Sequence, residues 1–500
     1  MVHALAAANQ ICPDRPAKIL GERTVTYAEY TRAVAGLARE LIAAGAGGQR
    51  VAVVMANSIE ASVASLACQA AGAQACLVNP NYTEPELTRL FADITPFGVL
   101  ADRSVLPIVE LAADATESCH RLRMVLGPGG TSITPWIDDV SLELPEPFPQ
   151  PDDLALMMFT GGTTGVPKGA NHTHQMLARF CRVKVPLIGY AFDTEVMLSV
   201  APLFHIFGHH FTNLLPIYLR CPIVMVAQYK PAVVLAELEK HRCTVFSGGP
   251  ASIYLGLIGN ERFASTDLSS LRYSLSGGAP CPADMIRTWE SVTGSIFLEG
   301  WAMTEGAPFC NNPAGGVRKL LSVGVLAPET ELSVVDTETG TRVLDRYEPG
   351  ELRVRGRQIM TSYHNRPEET ANALRDGWMY TGDIGYVDDD DYTFIVDRKK
   401  HMLVVGGYNV YPREIEEVLF EHEQIHDAAV LGRPDDFLGE APIAFVQRVP
   451  GSTLTADEVI AHCATQLVKY KVPTSVTFVE SMPKTGANKT NRLALAAQSE

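Results

Sequence analysis

The chain has 500 residues and a mass of 54.2 kDa, more than one compact core usually holds, so at least two domains are expected. A hydrophobic fraction of 46% and a charged fraction of 20% are typical of globular proteins and argue against a disordered or fibrous chain. The net charge of −16 disfavours nonspecific attraction to nucleic acid or anionic lipid, so no nucleic-acid partner is expected.

The ten cysteines lie singly, without the close pairs of zinc sites or disulfide frameworks. The N-terminal residues lack the basic start and the long apolar core of a secretory signal. No integral membrane association is expected, because the uncharged stretch 61–78 contains several polar residues and fits a buried helix followed by a strand. Together these features predict a cytoplasmic protein.

The first half of the chain alternates predicted helices and strands. A helix should begin at Thr26, which has capping-box spacing with Glu29, and end at Gly45. A strand over 51–55 then precedes a helix over 61–71, and further apolar strands are predicted over 75–78 and 154–159. This alternation indicates an α/β fold with parallel strands.

The pattern changes from Glu351 onward to short alternating strands. A charged cluster at 397–400 precedes a smaller unit of helices and strands, about the length of one small α+β domain. We therefore expect a large, multi-sheet α/β N-terminal domain over residues 1–397 and a small α+β C-terminal domain over residues 398–500.

A glycine-rich loop directly follows the strand predicted over 154–159. It contains Thr160, Gly161, Gly162, Thr163, Thr164, Gly165 and then Lys168. Glycines allow successive backbone N–H groups to point into one concavity, and the hydroxyls and the lysine add donors for phosphate oxygens. The loop is not a Walker loop, because Gly169 stands where a magnesium-binding Ser or Thr would follow the lysine.

A second cluster combines glycine-rich backbone with an aromatic residue and carboxylates. Its members are Gly277, Gly278, Ala279, Glu299, Trp301, Thr304 and Glu305. An aromatic ring beside glycines makes a flat slot for a purine, and a carboxylate such as Glu305 can hold Mg²⁺ near phosphates. Taken alone, Trp301 is more often explained by core packing.

Two single residues in the second half are candidates for nucleotide contacts. Asp383 follows Gly382 in a predicted turn, where it can accept hydrogen bonds from ribose hydroxyls. Lys489 lies in a polar C-terminal segment. Taken alone, Asp383 is explained as a solvated carboxylate in a turn, and Lys489 as a solvated charge in the tail.

His172 lies outside these segments and is interpreted as a polar residue at the entry to a helix.

In this order, the segments resemble those of the superfamily of acyl-CoA synthetases, nonribosomal peptide adenylation domains and luciferases. The resemblance covers nearly the whole chain and closes with 397–400 and 406–416, which look like the family's hinge and the start of its mobile C-terminal domain. It implies a two-step reaction. A carboxylate attacks the α-phosphate of ATP and releases pyrophosphate, and a thiol then attacks the mixed anhydride and releases AMP.

The resemblance also implies roles for single residues. The implied ATP-binding set is Thr160, Gly161, Gly162, Thr163, Thr164, Gly165, Lys168, Gly277, Gly278, Ala279, Glu299, Trp301, Asp383 and Arg398. The implied catalytic set is Thr304, Glu305, His205 and Lys489, in which Glu305 holds Mg²⁺ and Lys489 bridges the attacking carboxylate and the α-phosphate. Lys400 is the implied hinge, Gly406 and Gly407 flank the thiol tunnel, and His205, Gly249 and Met303 line the acyl pocket.

The predicted function is an ATP- and Mg²⁺-dependent ligase of a carboxylic acid and coenzyme A, and the segment 297–308 is similar to medium- and long-chain fatty acyl-CoA ligases. An aryl-CoA ligase and an adenylating enzyme that loads a carrier protein in trans remain alternatives. A luciferase-like oxygenase and a nucleotide sensor are disfavoured. Dicarboxylates are not expected, since residues 249–255 hold no basic partner for a second carboxylate. A homodimer is left open.

Overall fold

The computed structural model describes residues 1–116, 119, 121–160, 167–279, 281–435, 437–485 and 489–497. These residues pack into two units. Unit 1 comprises Met1–Arg318, Ala327–Thr330 and Gly356–Asn372, and unit 2 comprises Lys319–Leu326, Glu331–Arg355 and Ala373–Glu500. The functional boundary after residue 397 stays a prediction.

The helices of the described chain are α1 Val2–Ile11, α2 Tyr27–Ala44, α3 Ile59–Ala70, α4 Glu84–Ile94, α5 Leu106–Asp114, α6 Thr134–Asp138, α7 His174–Ile188, α8 Ile206–His209, α9 Leu215–Leu219, α10 Pro231–Lys240, α11 Ala251–Ile258, α12 Ala283–Thr293, α13 Pro367–Ala373, α14 Pro412–Phe420, α15 Ala456–Gln466 and α16 Arg492–Ala496. A π-helical turn, His210–Leu214, joins α8 to α9.

The strands are β1 Pro16–Leu20, β2 Arg23–Thr26, β3 Arg50–Val54, β4 Gln74–Val78, β5 Gly98–Ala101, β6 Leu122–Val125, β7 Leu154–Phe159, β8 Gly169–Thr173, β9 Met197–Ser199, β10 Ile223–Met225, β11 Val245–Gly249, β12 Tyr273–Gly277, β13 Ile296–Met303, β14 Gly306–Asn311, β15 Val325–Leu326, β16 Glu331–Val335, β17 Gly350–Arg355, β18 Leu374–Arg375, β19 Trp378–Val387, β20 Thr393–Arg398, β21 Leu403–Val405, β22 Tyr408–Val410, β23 Ile425–Asp435, β24 Gly439–Arg448 and β25 Ser475–Phe478.

Unit 1 contains two largely parallel sheets. One has the strand order β6-β5-β3-β4-β7-β8, in which β8 is antiparallel to β7. The other contains the order β14-β13-β12-β11-β9-β10-β1-β2, with antiparallel pairs at β13-β14 and β1-β2. Parallel strands end at the same edge of a sheet, so the loops after β7, β9, β11, β12 and β13 are where such a fold builds its sites.

The core of unit 1 explains the uncharged stretch in the sequence. Every residue of α3 is buried, because this helix packs against α2 and the first strands. Glu60 is the charged residue of α3, and it forms an ion pair with Arg23. Among the described residues, no helix combines the length and apolarity needed to cross a lipid bilayer.

Unit 2 is built from two smaller sheets. The first has the antiparallel order β16-β17-β19-β18, with β20 paired to β19. The second has the order β22-β21-β24-β23, with β25 parallel to β24, and packs with α14 and α15 around a core that includes Ile415, Val430 and Val459. The predicted α/β class with several sheets and a separate C-terminal domain is confirmed.

Candidate active site

The hairpin between β13 and β14 presents two predicted site residues. Met303 pairs with Gly306, so Thr304 and Glu305 form its two-residue tip. The backbone N–H of Met360 donates to the Glu305 carbonyl at 2.6 Å. Thr304 and Glu305 are therefore held at a fixed tip at the end of the sheet.

His172 fixes the same tip from β8. Its Nε2 donates to the Thr304 carbonyl at 2.8 Å. Burial lowers the pKa of His172 to about 4, so the imidazole is neutral at pH 7 and its Nε2 carries the proton. His172 does precede a helix, since α7 begins at His174, but it lies in a buried strand and the sequence interpretation missed its bond to Thr304.

Tyr363 contacts both the predicted phosphate-binding lysine, Lys168, and the predicted Mg²⁺ ligand, Glu305. Its hydroxyl donates to Glu305 Oε1 at 2.5 Å, and the Lys168 Nζ lies 4.5 Å from the centre of its ring. Tyr363 and Glu305 are both buried. A cation over an aromatic face is attracted electrostatically, so this one tyrosine orients a lysine and a carboxylate together.

The start of the glycine-rich loop carries an unsatisfied donor. The Thr160 N–H donates to the Lys168 carbonyl at 3.0 Å and so closes the base of the loop. The buried Thr160 Oγ1 has no hydrogen-bond partner among the described residues. Such a buried hydroxyl suits a ligand oxygen. The predicted residues Gly161, Gly162, Thr163, Thr164 and Gly165 lie outside the described residues.

Glycines lie at or near the ends of three adjacent parallel strands in the second sheet. Gly277 pairs with Gly300, and Gly249 pairs with Ser276. A Cβ on Gly277 would lie 3.1 Å from the Gly300 carbonyl oxygen, a tight contact that the absence of a side chain avoids. The predicted ATP-binding residues Gly278, Ala279, Glu299 and Trp301 adjoin this edge, and Met303 ends β13.

Trp301 and Glu299 have structural contacts of their own. The Trp301 ring packs edge-on against Phe309, with ring centres 5.1 Å apart. Glu299 Oε1 accepts the Cys281 N–H at 3.2 Å. The ligand-binding roles of both residues therefore stay predictions.

Asn57 is a positioning residue that the sequence argument missed. It follows β3, accepts the Leu203 N–H at 2.8 Å and donates to the Ala201 carbonyl at 3.1 Å. These bonds hold the segment that leads from β9 to His205. The His205 Nδ1 in turn accepts the Phe207 N–H at 3.3 Å and caps α8.

Unit 2 pairs the two predicted ribose ligands with each other. Asp383 on β19 is the register partner of Arg398 on β20, and the Arg398 Nε lies 2.5 Å from Asp383 Oδ1. The segment around Gly382 was predicted as a turn, which was wrong. It is a bulge within β19, where the pairing with β17 shifts and Gly382 has a φ of +69°. A bulge re-aims the next side chain, here that of Asp383.

The predicted hinge is a short 3₁₀ turn, Lys399–His401, that contains Lys400. Before it, the Asp397 carboxylate accepts the N–H groups of Arg398 and Arg413 at 2.6 and 3.0 Å. The segment that precedes Lys400 is thus fixed by backbone bonds to one carboxylate.

The remaining predicted residues of unit 2 lie in turns. Gly406 and Gly407, with φ values of +59° and +85°, form the two-residue connection between β21 and β22, as a tight hairpin requires. The Lys489 carbonyl accepts the Thr485 N–H at 2.7 Å, and the Lys489 N–H donates to Thr485 Oγ1 at 3.2 Å. This reciprocal pair fixes the backbone of the lysine.

Comparison with known proteins gives the class of this chain. The profile of the family described as AMP-binding enzyme matches residues 5–364, and that of the AMP-binding enzyme C-terminal domain matches residues 414–489. The chain therefore belongs to the AMP-binding enzyme family, as the sequence motifs predicted. It is an ATP-dependent acid–thiol ligase of the adenylate-forming class, so the predicted enzyme class is confirmed.

Similar proteins differ in the acid that their names give. A long-chain-fatty-acid–CoA ligase of Bacillus subtilis is 33% identical over 90% of this chain and 85% of its own length. A feruloyl-CoA synthase of an Amycolatopsis species is 36% identical over 94% and 93%. The ATP-bound crystal structure of MatB from Rhodopseudomonas palustris superimposes with a TM-score of 0.91 at 30% identity and covers 99% of this chain and 98% of that one.

Proposed function

We propose that the chain activates a monocarboxylic acid with ATP and transfers the acyl group to coenzyme A, with medium- or long-chain fatty acids as the first substrate class. The observation that carries this proposal is that Tyr363 contacts both Lys168 and Glu305 at the hairpin tip that also holds Thr304. A lysine and a carboxylate held together at the carboxyl ends of parallel strands suit a nucleotide triphosphate with its metal.

In the first half-reaction, a carboxylate oxygen of the acid bonds to the α-phosphorus of ATP and the bond to pyrophosphate breaks. Thr160 and Lys168 bind the β- and γ-phosphates, and Thr304 contacts the α-phosphate. Lys489 offsets the negative charge that develops between the carboxylate and the α-phosphate, a role that suits a compact cation. Asp383 and Arg398 bind the ribose.

Glu305 fits a Mg²⁺ ion that arrives with ATP. Mg²⁺ is commonly held by one or two carboxylates plus substrate phosphates, and the described residues contain no cluster of three or more ligands that would form a cage of their own. The ion would supply charge neutralisation to the phosphates. Tyr363 would hold Glu305 in the orientation that this requires.

In the second half-reaction, the thiolate of CoA bonds to the acyl carbon and the bond to AMP breaks. We assign the gate of the thiol path to His205, the path itself to Gly406 and Gly407, and the acyl pocket to Gly249 and Met303. Lys400 would be the hinge that separates the two half-reactions. A carrier-protein thiol would react by the same chemistry, so the acceptor has to be tested.

Aryl acids form the second candidate substrate class, and one observation favours them. The Phe207 ring lies next to the open edge at Gly277 and packs against the Phe211 ring, with ring centres 4.5 Å apart. Aromatic walls favour a flat substrate ring. The similarity to a feruloyl-CoA synthase supports the same class.

The experiment that tests the proposed function is a screen of acids for CoA-dependent AMP formation. Octanoate, palmitate, benzoate, 4-hydroxycinnamate and malonate cover the classes, and reactions without CoA and with a carrier protein in place of CoA identify the acceptor. Acyl-CoA and AMP should form in equal amounts with a fatty or aryl acid. ADP as the product, or turnover only with a carrier protein, would contradict the proposal.

A further inference from the structure

A lysine is buried inside unit 1 with an uncharged partner. Lys184 lies on α7, is 5% exposed, and donates through Nζ to Asn311 Oδ1 on β14. Within the described part of the chain, no carboxylate forms an ion pair with it. Burial lowers the pKa of Lys184 to about 7.

The position of Lys184 is unfavourable for stability alone. A buried amine costs free energy unless it is paired, and an apolar side chain of similar size would fill the same space without that cost. An ammonium group has three donors, and the hydrogen bond to Asn311 uses one of them. Asn311 is itself fully buried, and its Nδ2 donates to the Asn312 carbonyl at 2.6 Å.

Lys184 belongs to a closed ring of contacts, which we call the distal ring. Its Nζ lies 5.7 Å from the centre of the Phe211 ring, and Phe211 packs against Phe207. A Cβ on Gly277 would lie 3.5 Å from Phe207, and one on Gly300 would lie 2.5 Å from Asn311 Oδ1. The distal ring is thus Lys184, Phe211, Phe207, Gly277, Gly300 and Asn311.

The distal ring adjoins residues already assigned to the site. Gly277 and Gly300 are register partners on β12 and β13, next to Gly278 and Trp301. Phe207 lies two residues after His205 and donates its N–H to that imidazole. Gly300 has no room for a side chain because the amide of Asn311 occupies that space. Through Phe207 the pair of Lys184 and Asn311 is connected to His205, and the strand end next to Gly277 carries Gly249, both of which are proposed to line the acyl pocket.

We propose that Lys184 binds a hydroxyl oxygen at the far end of an aryl substrate acid, with Asn311 as the positioning residue, so that among aryl acids those with a distal hydroxyl are preferred. This inference rests on the proposed function in its aryl form. The substrate ring would pack against the face formed by Phe207 and Phe211, and Lys184 would meet the hydroxyl beyond it. A site built to hydrogen-bond a hydroxyl discriminates strongly against the analogue that lacks it.

The test compares 4-hydroxycinnamate with cinnamate, which differ only in the distal hydroxyl. The wild type should show a higher kcat/KM for 4-hydroxycinnamate. In Lys184→Met the ratio of the two kcat/KM values should fall by about twofold to tenfold, the effect of losing one hydrogen bond. Lys184→Gln, which keeps a donor, should retain part of the preference and provides a second variant if Lys184→Met folds poorly.

Lys18→Met is the matched control. Lys18 is also buried and donates to the Thr212 carbonyl at 2.6 Å, but it lies outside the distal ring. The ratio of the two acids should stay unchanged in this variant. An unchanged ratio in Lys184→Met and Lys184→Gln, or an equal fall in Lys18→Met, would overturn the inference.

Binding of the two acids at equilibrium separates this inference from the proposed function. Calorimetry with wild type and Lys184→Met reports the hydroxyl preference without turnover. If the wild type prefers 4-hydroxycinnamate in binding yet forms no CoA thioester from any acid, the ligase proposal fails and the binding site stands. If acids are converted to thioesters but the wild type shows no hydroxyl preference, the inference fails and the ligase proposal stands.

Discussion

Tyr363 is the residue whose role most needs a direct test. Its hydroxyl holds Glu305 and its ring faces Lys168. Tyr363→Phe removes the bond to the carboxylate but keeps the ring. We expect the Mg²⁺ concentration for half-maximal adenylation to rise and the rate at saturating ATP to fall about tenfold, the effect of one hydrogen bond to a charged group. Pyrophosphate exchange at varied Mg²⁺ measures both.

Tyr229→Phe is a matched control for that prediction. The Tyr229 hydroxyl donates to the Ile253 carbonyl at 2.7 Å, so the change removes one tyrosine hydrogen bond elsewhere in unit 1. Its Mg²⁺ dependence should match the wild type. Equal Mg²⁺ dependence of Tyr363→Phe and wild type would show that Tyr363 does not orient the carboxylate.

Lys18 provides a prediction about pH and stability. Burial lowers its pKa from 10.5 to about 7. Between these values the unfolded chain binds a proton that the folded chain does not, so this group lowers the free energy of unfolding progressively as pH falls from about 10 to about 7. The cost is at most about 1.4 kcal/mol per pH unit. Below the folded pKa the cost stays constant.

Lys18→Met removes this dependence. The free energy of unfolding of the wild type, measured relative to that of the variant, should increase as pH rises from 7 to 9, because the wild type regains the lost stability. Urea denaturation followed by circular dichroism measures it, and the difference cancels the titration of the buried cysteines. A difference that is constant over this pH range would refute the depressed pKa.

Single residues of the site were predictable only where they lie in a local motif. Lys168 and Glu305 stand in short segments with recognisable chemistry. Tyr363 lies 58 residues from Glu305 and reaches it only because the segment Gly356–Asn372 folds back onto unit 1. The sequence argument against dicarboxylates considered basic residues only within 249–255. Lys184 on α7 is distant in sequence and was not considered, so the exclusion of dicarboxylates stays a prediction.

At the scale of elements, local signals predicted the strands and helices of unit 1 well. The capping box of Thr26 and Glu29 starts α2, and Gly45 ends it with a φ of +87°. The strand predicted over 154–159 has those bounds, and the helix predicted over 61–71 is α3 with its bounds shifted slightly. The bulge in β19 was misread because a glycine with positive φ is typical of turns as well as of bulges.

The bulge gives a prediction at this scale. In Gly382→Ala a Cβ meets no atom within 4 Å, so only the backbone conformation is strained. The free energy of unfolding should fall by about 1 kcal/mol, and the KM for ATP should rise several-fold because Asp383 is re-aimed. Thermal denaturation and steady-state kinetics measure the two effects.

Gly451→Ala is the control that separates the effect of backbone strain on stability from the effect of the bulge on nucleotide binding. Gly451 also has a positive φ, +83°, a Cβ added to it would meet no atom within 4 Å, and it lies in a turn of unit 2 after β24. It should lose similar stability with no change in the KM for ATP. If both variants raise the KM equally, the bulge does not serve nucleotide binding.

At the scale of the whole molecule, we assign the two half-reactions to different residues of unit 2. Lys489→Ala should slow acyl-adenylate formation by at least about a hundredfold, the scale for losing one preorganised stabilising group, and should largely spare thioester formation from supplied acyl-adenylate. Single-turnover assays of each half-reaction measure this. Lys469→Ala, an exposed lysine in the same unit, is the control and should affect neither step.

Lys400→Pro should have the opposite effect. Proline fixes φ near one value, so it should hinder rotation at the hinge and suppress CoA transfer while sparing adenylation. Equal loss of both steps in Lys489→Ala and Lys400→Pro would contradict a division of labour between these residues.

The central claim is that the acid is activated through an acyl-adenylate. The most direct test supplies a carboxylic acid labelled with ¹⁸O in both carboxyl oxygens, together with ATP and CoA, and determines the label in the products by mass spectrometry. Because a carboxylate oxygen bonds to the α-phosphorus and leaves with it, AMP should carry one ¹⁸O and the acyl-CoA the other. Label in inorganic phosphate or pyrophosphate, or AMP without label, would contradict the account.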